Sequence, residues 1–169
     1  MAKKFISEQY NNLEVVDITA QGKGVVKSED GKVIFVPGVV PGDKITIETY
    51  KKRRGYFEAN LIEILDPSPN RIEPQCEHFG ICGGCKWQNM SYEAQLEFKQ
   101  KEVLHNIKNM SGMSLPEIDK IQAAPQPYFY RNKMEYAFSN QRWLTADEIA
   151  DKFLTIEKKG LGFHKARMW

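Results

Sequence analysis

The residues best suited to do chemistry lie in one stretch, Cys76-Glu77-His78-Phe79-Gly80-Ile81-Cys82-Gly83-Gly84-Cys85. It holds all 3 cysteines of the chain, at C-x5-C-x2-C spacing. Two thiolates separated by two residues converge within a tight turn, and Gly83-Gly84 permit the backbone angles such a turn needs. Thiolates bind iron–sulfur clusters and zinc, and both normally take four ligands. The fourth ligand therefore lies elsewhere or is of another type. His78 is the nearest candidate and would complete a zinc site. Three unrelated buried thiols are the competing reading, and the local density of Cys and Gly speaks against it. An odd number of cysteines also speaks against a disulfide framework.

A second candidate is the run Lys51-Lys52-Arg53-Arg54, expected as a turn between two strands and flanked by Tyr50, Tyr56 and Phe57. Cations beside aromatics on a barrel loop suit a nucleic acid, with phosphates met by charge and bases by stacking. A solvated hairpin tip accounts for so short a run equally well. A third is Arg131 and Lys133, which share one face if Arg131–Phe138 is a strand; a polar edge strand is the bland alternative. His105 and His164 have no partner pattern. Trp87, Trp143 and Trp169 read as packing residues. No glycine-rich loop links a strand to a helix as a dinucleotide or S-adenosylmethionine fold requires. Gly22-Lys23-Gly24 lies between strands, and no cysteine outside the motif could act as a nucleophile.

The elements that must position these residues follow from pattern. After a tail of residues 1–10, residues 11–66 read as about five short strands. Glu29-Asp30-Gly31 carries a hairpin signal, Lys32–Val36 is a short buried-strand pattern, and Pro41-Gly42-Asp43 is a turn. Lys44–Tyr50 alternates with period two, and Tyr56–Ile64 is the last strand. This predicts a small closed OB-like barrel. Residues 67–90 read as a linker, opened by Asp66-Pro67-Ser68-Pro69-Asn70, and the cysteine segment. Residues 91–112 form one long helix, capped by Ser91, with Tyr92, Leu96, Val103 and Ile107 near one face. Residues 113–169 begin a mixed α+β region. In it Thr145 caps a short helix with Glu148 as its capping-box partner, and Leu161–His164 starts a strand. The fold class is thus α+β, mainly β.

Composition sets the outer bounds. The chain has 169 residues, 41% of them hydrophobic and 27% charged, as in a globular protein. A disordered or collagen-like chain is excluded. The charge sum, 24 − 22 = +2, does not by itself point to nucleic acid. No apolar run approaches the ~20 residues of a membrane span, and Met1-Ala2-Lys3-Lys4-Phe5 lacks a signal-peptide core. A cytoplasmic protein with no membrane partner is expected.

These features in this order resemble the bacterial 23S rRNA (uracil-5-)-methyltransferases, in their N-terminal portion. Gly22-Lys23-Gly24-Val25, Gly31–Gly38 and Pro41-Gly42-Asp43 resemble the RNA-binding TRAM barrel of that family. Cys76-x5-Cys82-Gly83-Gly84-Cys85, Trp87-Gln88, Tyr92, Gln95 and Lys99 resemble its cluster motif and following helix, and Tyr130–Glu135 its central domain. The resemblance implies that Cys76, Cys82 and Cys85 are three ligands of a [4Fe-4S] cluster. It implies that Lys51, Lys52, Arg53, Arg54, Arg131 and Lys133 meet ribosomal RNA. In that family the fourth cysteine, the S-adenosylmethionine pocket, the nucleophile and the base lie beyond Trp169, so this chain is expected to be a truncated, inactive monomer. The long helix, similar to one that packs on the methyltransferase domain, is expected to lack its partner. Radical methylthiotransferases also join a TRAM domain to a cluster, but with C-x3-C-x2-C spacing and a C-terminal barrel. A zinc-containing OB-fold RNA-binding module without enzymatic activity is the non-enzymatic alternative.

Overall fold

The structure is a computed structural model that describes residues 6–111, 117–142, 144–151, 153 and 155–163. The chain divides into two compact units, Met1–Gln75 with Trp87–Pro125, and Cys76–Lys86 with Gln126–Trp169.

In the first unit five strands close a barrel: β1 (Gln9–Ile18), β2 (Lys23–Lys27), β3 (Val33–Pro37), β4 (Lys44–Lys52) and β5 (Phe57–Asp66), in the order β1-β2-β3-β5-β4. β3 runs parallel to β5, and the other neighbours are antiparallel. This is the OB-like barrel that the strand pattern predicts. Alternation builds its core: in β3, Ile34 and Val36 are fully buried while Val33 and Phe35 are half-buried on the outer side. Val15, Val26, Val39, Ile45, Ile47 and Ala59 complete the interior. Each such aliphatic side chain contributes about 1.5–3 kcal/mol by leaving water. β1 serves both seams. Its first half pairs with β4, from Gln9 opposite Glu48 to Glu14 opposite Lys44; its second half pairs with β2, from Val15 opposite Val26 to Ile18 opposite Gly24.

The Pro-rich stretch after β5 is not a loose linker. Pro67 does stop the strand, but Ser68 is buried: its N–H donates to Asp43 Oδ1 at 2.9 Å and its hydroxyl to Pro41 O at 2.7 Å. Arg71 adds an ion pair to the same carboxylate. Residues on either side of it then pair with the segment before the helix, Ile72 N–H to Asn89 O at 3.1 Å and Ser91 N–H to Asn70 O at 2.9 Å. A buried acid holds the proline segment down, which composition alone does not reveal.

That pairing delivers the helix α1 (Tyr92–Ser111) to the barrel. Ser91 Oγ accepts from Ala94 N–H at 3.4 Å, the expected cap. The helix has a partner: Ala94 and Met90 are buried with Ile18 and Val40, and Trp87 and Phe98 pack on them. Its inward face is set by Ala94 and Phe98, one turn apart, and not by the predicted stripe; Val103 is 52% exposed. The apolar contacts with the barrel come from the start of the helix; further along, Lys101 Nζ reaches Asp17 of β1 at 2.7 Å. No helix among the described residues is long and apolar enough to cross a membrane.

In the second unit β6 (Ala137–Ser139) pairs antiparallel with β7 (Gly160–Gly162). The helix α2 (Ala146–Ala150) carries the expected capping box: Thr145 N–H donates to Glu148 Oε2 at 2.8 Å and Glu148 N–H to Thr145 Oγ1 at 3.2 Å. The strand expected over Arg131–Phe138 is reduced to its end. A strand exists through its ladder, and the described partner, β7, spans only Gly160–Gly162.

Candidate functional site

The basic run is half strand and half turn. Lys51 and Lys52 end β4, and Arg53-Arg54-Gly55 make the bend, closed by Arg53 N–H to Tyr56 O at 2.8 Å with Gly55 at φ +89°. Strand register then places four residues abreast. Val25 on β2 lies opposite Phe35 on β3, Phe35 opposite Glu58 on β5, and Glu58 opposite Lys51 on β4. The Phe35 and Tyr56 rings lie 4.9 Å apart at 56° to each other.

Glu58 is the acid within this basic and aromatic row. Its side chain is 4% exposed, with Lys23 Nζ at 3.4 Å and Arg53 Nε at 3.7 Å, both cations remaining more than a third exposed. Arg53 therefore neutralises a buried carboxylate, whereas Lys51, Lys52 and Arg54 form no ion pair among the described residues. Lys52 Nζ sits 5.6 Å from the Phe57 ring centroid, within cation–π range. Lys32, nearby, is committed internally. Glu8 at 2.6 Å, Tyr10 at 2.8 Å and Asp30 at 2.9 Å surround its ammonium, and these contacts, Glu8 first, keep it protonated far above the ordinary lysine range.

Arg131 and Lys133 are not on a strand, so no shared strand face brings them together. Both are exposed, and Lys133 Nζ pairs with Glu135 at 3.0 Å. His105 is a surface residue bonded to Asn109 Nδ2 at 2.8 Å, and Trp87 packs as expected. His164, Trp143 and Trp169 lie outside the described residues.

The cysteine segment is a chain of turns. Phe79 N–H donates to Cys76 O at 3.0 Å, Cys82 N–H to His78 O at 2.9 Å, and Gly84 N–H to Cys82 Sγ at 3.3 Å. None of Cys76, Cys82 and Cys85 is in a disulfide, and Cys76 and Cys85 are exposed. A Cβ on Gly84 would come within 3.0 Å of Phe163 Cδ2 and 3.5 Å of Cys82 Sγ, so glycine lets the loop approach the ring. His78 is exposed, with Nε2 3.6 Å from Glu77 Oε1. Among the described residues no three Cys, His, Asp or Glu side chains group as an ion-holding set. The donor chemistry fits a thiolate-bound cluster, with three sulfurs in one loop and an N–H already on one of them.

The helix motif also acquires physical roles. Gln95 Nε2 donates to Trp87 O at 3.1 Å and Met90 O at 2.9 Å, locking the entry to α1. Lys99 Nζ lies 5.7 Å from the Trp87 ring centroid, and Tyr92 Oη accepts from Ala124 N–H at 2.8 Å. Phe35, Lys23 and Glu58 are the residues that sequence reasoning missed. Alternation in Val33–Pro37 already puts Phe35 on the side away from Ile34; the pairing of Lys23 and Arg53 on Glu58 has no local signature.

No family model matches the chain. Individual proteins do. An uncharacterized RNA methyltransferase of Bacteroides thetaiotaomicron is 43% identical over 147 residues, which are 87% of this chain and 32% of that protein. One of Chlorobaculum tepidum is 40% identical over 154 residues, 90% of this chain and 32% of that protein. The 23S rRNA (uracil(1939)-C(5))-methyltransferase RlmD of Xylella fastidiosa is 34% identical over 149 residues, 87% of this chain and 30% of that protein. The chain spans about a third of the length of the curated relatives it matches.

Proposed function

Because the chain belongs to the family of these RNA methyltransferases and spans about a third of their length, we propose that it is the RNA-holding part of an S-adenosylmethionine-dependent RNA (uracil-5-)-methyltransferase acting on 23S ribosomal RNA. The observation that carries this reading is the cationic, aromatic end of a closed OB-like barrel, with Lys51, Lys52 and Arg54 unpaired among the described residues beside Tyr56 and Phe57. Such a barrel offers charge for phosphates and rings for unpaired bases. The exposed Arg131 and Lys133 are placed in the same RNA-holding role.

Cys76, Cys82 and Cys85 are the thiolates that would hold a [4Fe-4S] cluster. Bound there, it would fix the 76–85 loop without taking part in turnover. The S-adenosylmethionine pocket, the nucleophile and the base belong, on this reading, to the two thirds of the relatives' length that this chain does not span. There the chemistry would be covalent catalysis on a uracil lifted from its loop.

The test is binding of this chain to 23S ribosomal RNA fragments over a range of salt, with methyl transfer from S-adenosylmethionine measured in parallel. We expect salt-dependent binding and no transfer. Replacing Lys51 and Lys52 by Ala should lower the slope of log affinity against log salt by about 1.4, the value for two phosphate contacts on a single strand. An unchanged slope returns the run to a solvated strand end. Stoichiometric zinc in place of iron and sulfide would favour the non-enzymatic module.

A further inference from the structure

We propose that the outer face of β2, β3 and β5 is a base-stacking subsite: an unpaired RNA base lies on Phe35 and Tyr56, and the adjoining phosphate sits between Lys23 and Arg53, which Glu58 holds in position. This deepens the RNA-holding reading and rests on it.

Phe35 is on the wrong side of its strand to serve the core. Ile34 and Val36 fill the interior, and Phe35 is left half-buried outside. Its ring partner among the described residues, Tyr56, is tilted by 56°, so the two rings form a corner and do not cover each other's faces. A flat base entering this corner can stack parallel on one ring and meet the other edge-on, a contact that neither ring gives the other.

Glu58 explains why an acid belongs in this row. A bare carboxylate would repel a phosphate, but this one is 4% exposed beneath two cations. Those cations come from separate parts of the barrel: Lys23 opens β2 after the β1–β2 turn, and Arg53 opens the β4–β5 turn. One carboxylate therefore fixes two turns that border the ring pair. Arg53 Nε, 3.7 Å from Glu58, is buried against the carboxylate, while the side chain as a whole stays 39% exposed, so a phosphate would meet the outer part of the guanidinium. The three groups sum to one positive charge, directed outward.

The experiment uses the 169-residue chain and a single-stranded oligoribonucleotide of about eight nucleotides, within the site size of an OB barrel, with 2-aminopurine at its centre. Affinity, salt slope and fluorescence quenching are read together, and thermal unfolding reports whether each variant is folded. We expect F35A and Y56A each to weaken binding roughly tenfold and remove the quenching, while leaving the salt slope unchanged. E58Q raises the net charge by one and should still weaken binding several-fold, because its cations lose their tether. Tighter binding by E58Q would overturn the positioning role. If E58Q does not fold, F35A and Y56A decide. Unchanged quenching in both, with the slope still lowered by K51A and R54A, overturns the subsite and leaves the RNA-holding reading standing. No binding by the unaltered chain overturns both.

Discussion

Arg71 grips Asp43 with two nitrogens, Nε 3.1 Å from Oδ1 and Nη2 2.5 Å from Oδ2, across 28 residues of sequence. The same carboxylate accepts N–H bonds from Val40 at 2.6 Å and Ser68 at 2.9 Å, and Arg71 Nη2 also reaches Gly38 O at 3.1 Å. Asp43 is fully buried. A buried charge is tolerated only when its lone pairs are filled in this way. One residue of the barrel thus secures its own loop, the proline segment and the approach to α1.

Replacing Arg71 by Ala should therefore destabilise the first unit by about 3 kcal/mol, since it leaves a buried carboxylate without its counter-charge. Denaturant midpoints of the two proteins measure this. A loss under about 0.5 kcal/mol, the scale of an ordinary surface substitution, would mean that the pair is energetically idle.

The acid dependence has a definite sign. Burial pushes the Asp43 carboxyl up, but the Arg71 hydrogen bonds and the Ser68 and Val40 N–H groups outweigh it and hold it below the ordinary range. A depressed acid contributes stability in full above its unfolded value of about 3.9 and loses it as pH falls through the lower folded value. The denaturation midpoint should owe nothing to Asp43 titration between neutral pH and about pH 4, then fall. D43N should be less stable at pH 7 and show a shallower acid limb. An unaltered acid limb would remove Asp43 from this role.

Glu148 offers a local readout in the second unit. The Arg142 guanidinium, then the Thr145 N–H, hold its carboxyl down to about 2. In an NMR titration Glu148 should titrate well below the model-peptide value of about 4.3. R142A should return it toward about 4.3, the model-peptide value. A normal Glu148 titration in the unaltered chain would mean that the capping box is not formed in solution.

Anaerobic reconstitution examines the thiols. Three thiolates leave one iron of a cubane without a protein ligand, so a cluster on this chain should be lost in air. Iron content and the brown absorbance before and after exposure give the answer. About four irons retained through exposure would require a fourth ligand within the chain, with H78A the first variant to examine.

The barrel was legible because its strands read as short apolar or alternating runs and its turns carry Gly, Pro or Asp. α2 was legible because Thr145 and Glu148 satisfy each other within one turn. What escaped was non-local. Ser68 reads as a polar residue between two prolines until Asp43 is folded beside it. The helix face was misread because the position that meets the barrel is Ala94, a residue too small to mark a stripe. The strand expected over Arg131–Phe138 survives only at its end, in β6, for a related reason: alternation proposes a strand, but only a ladder partner makes one. At the site, the cations of the 51–54 run could be seen in sequence, whereas the meeting of Lys23 from β2 with Arg53 on the single carboxylate of Glu58 joins distant parts of the barrel, which no local pattern encodes.

The double pairing of β1 has a consequence for how the chain tolerates trimming. Glu8 and Thr49 exchange the first stitches of the β1–β4 seam, Glu8 N–H to Thr49 Oγ1 at 2.9 Å and Thr49 N–H to Glu8 O at 2.9 Å. Cutting back through Glu14 would remove that seam while leaving the β1–β2 seam in place. The ring would then open into a curved sheet with a bare edge along β4, an invitation to a second open chain. Terminal residues that look dispensable by sequence are what keep this barrel from recruiting its own copies strand by strand.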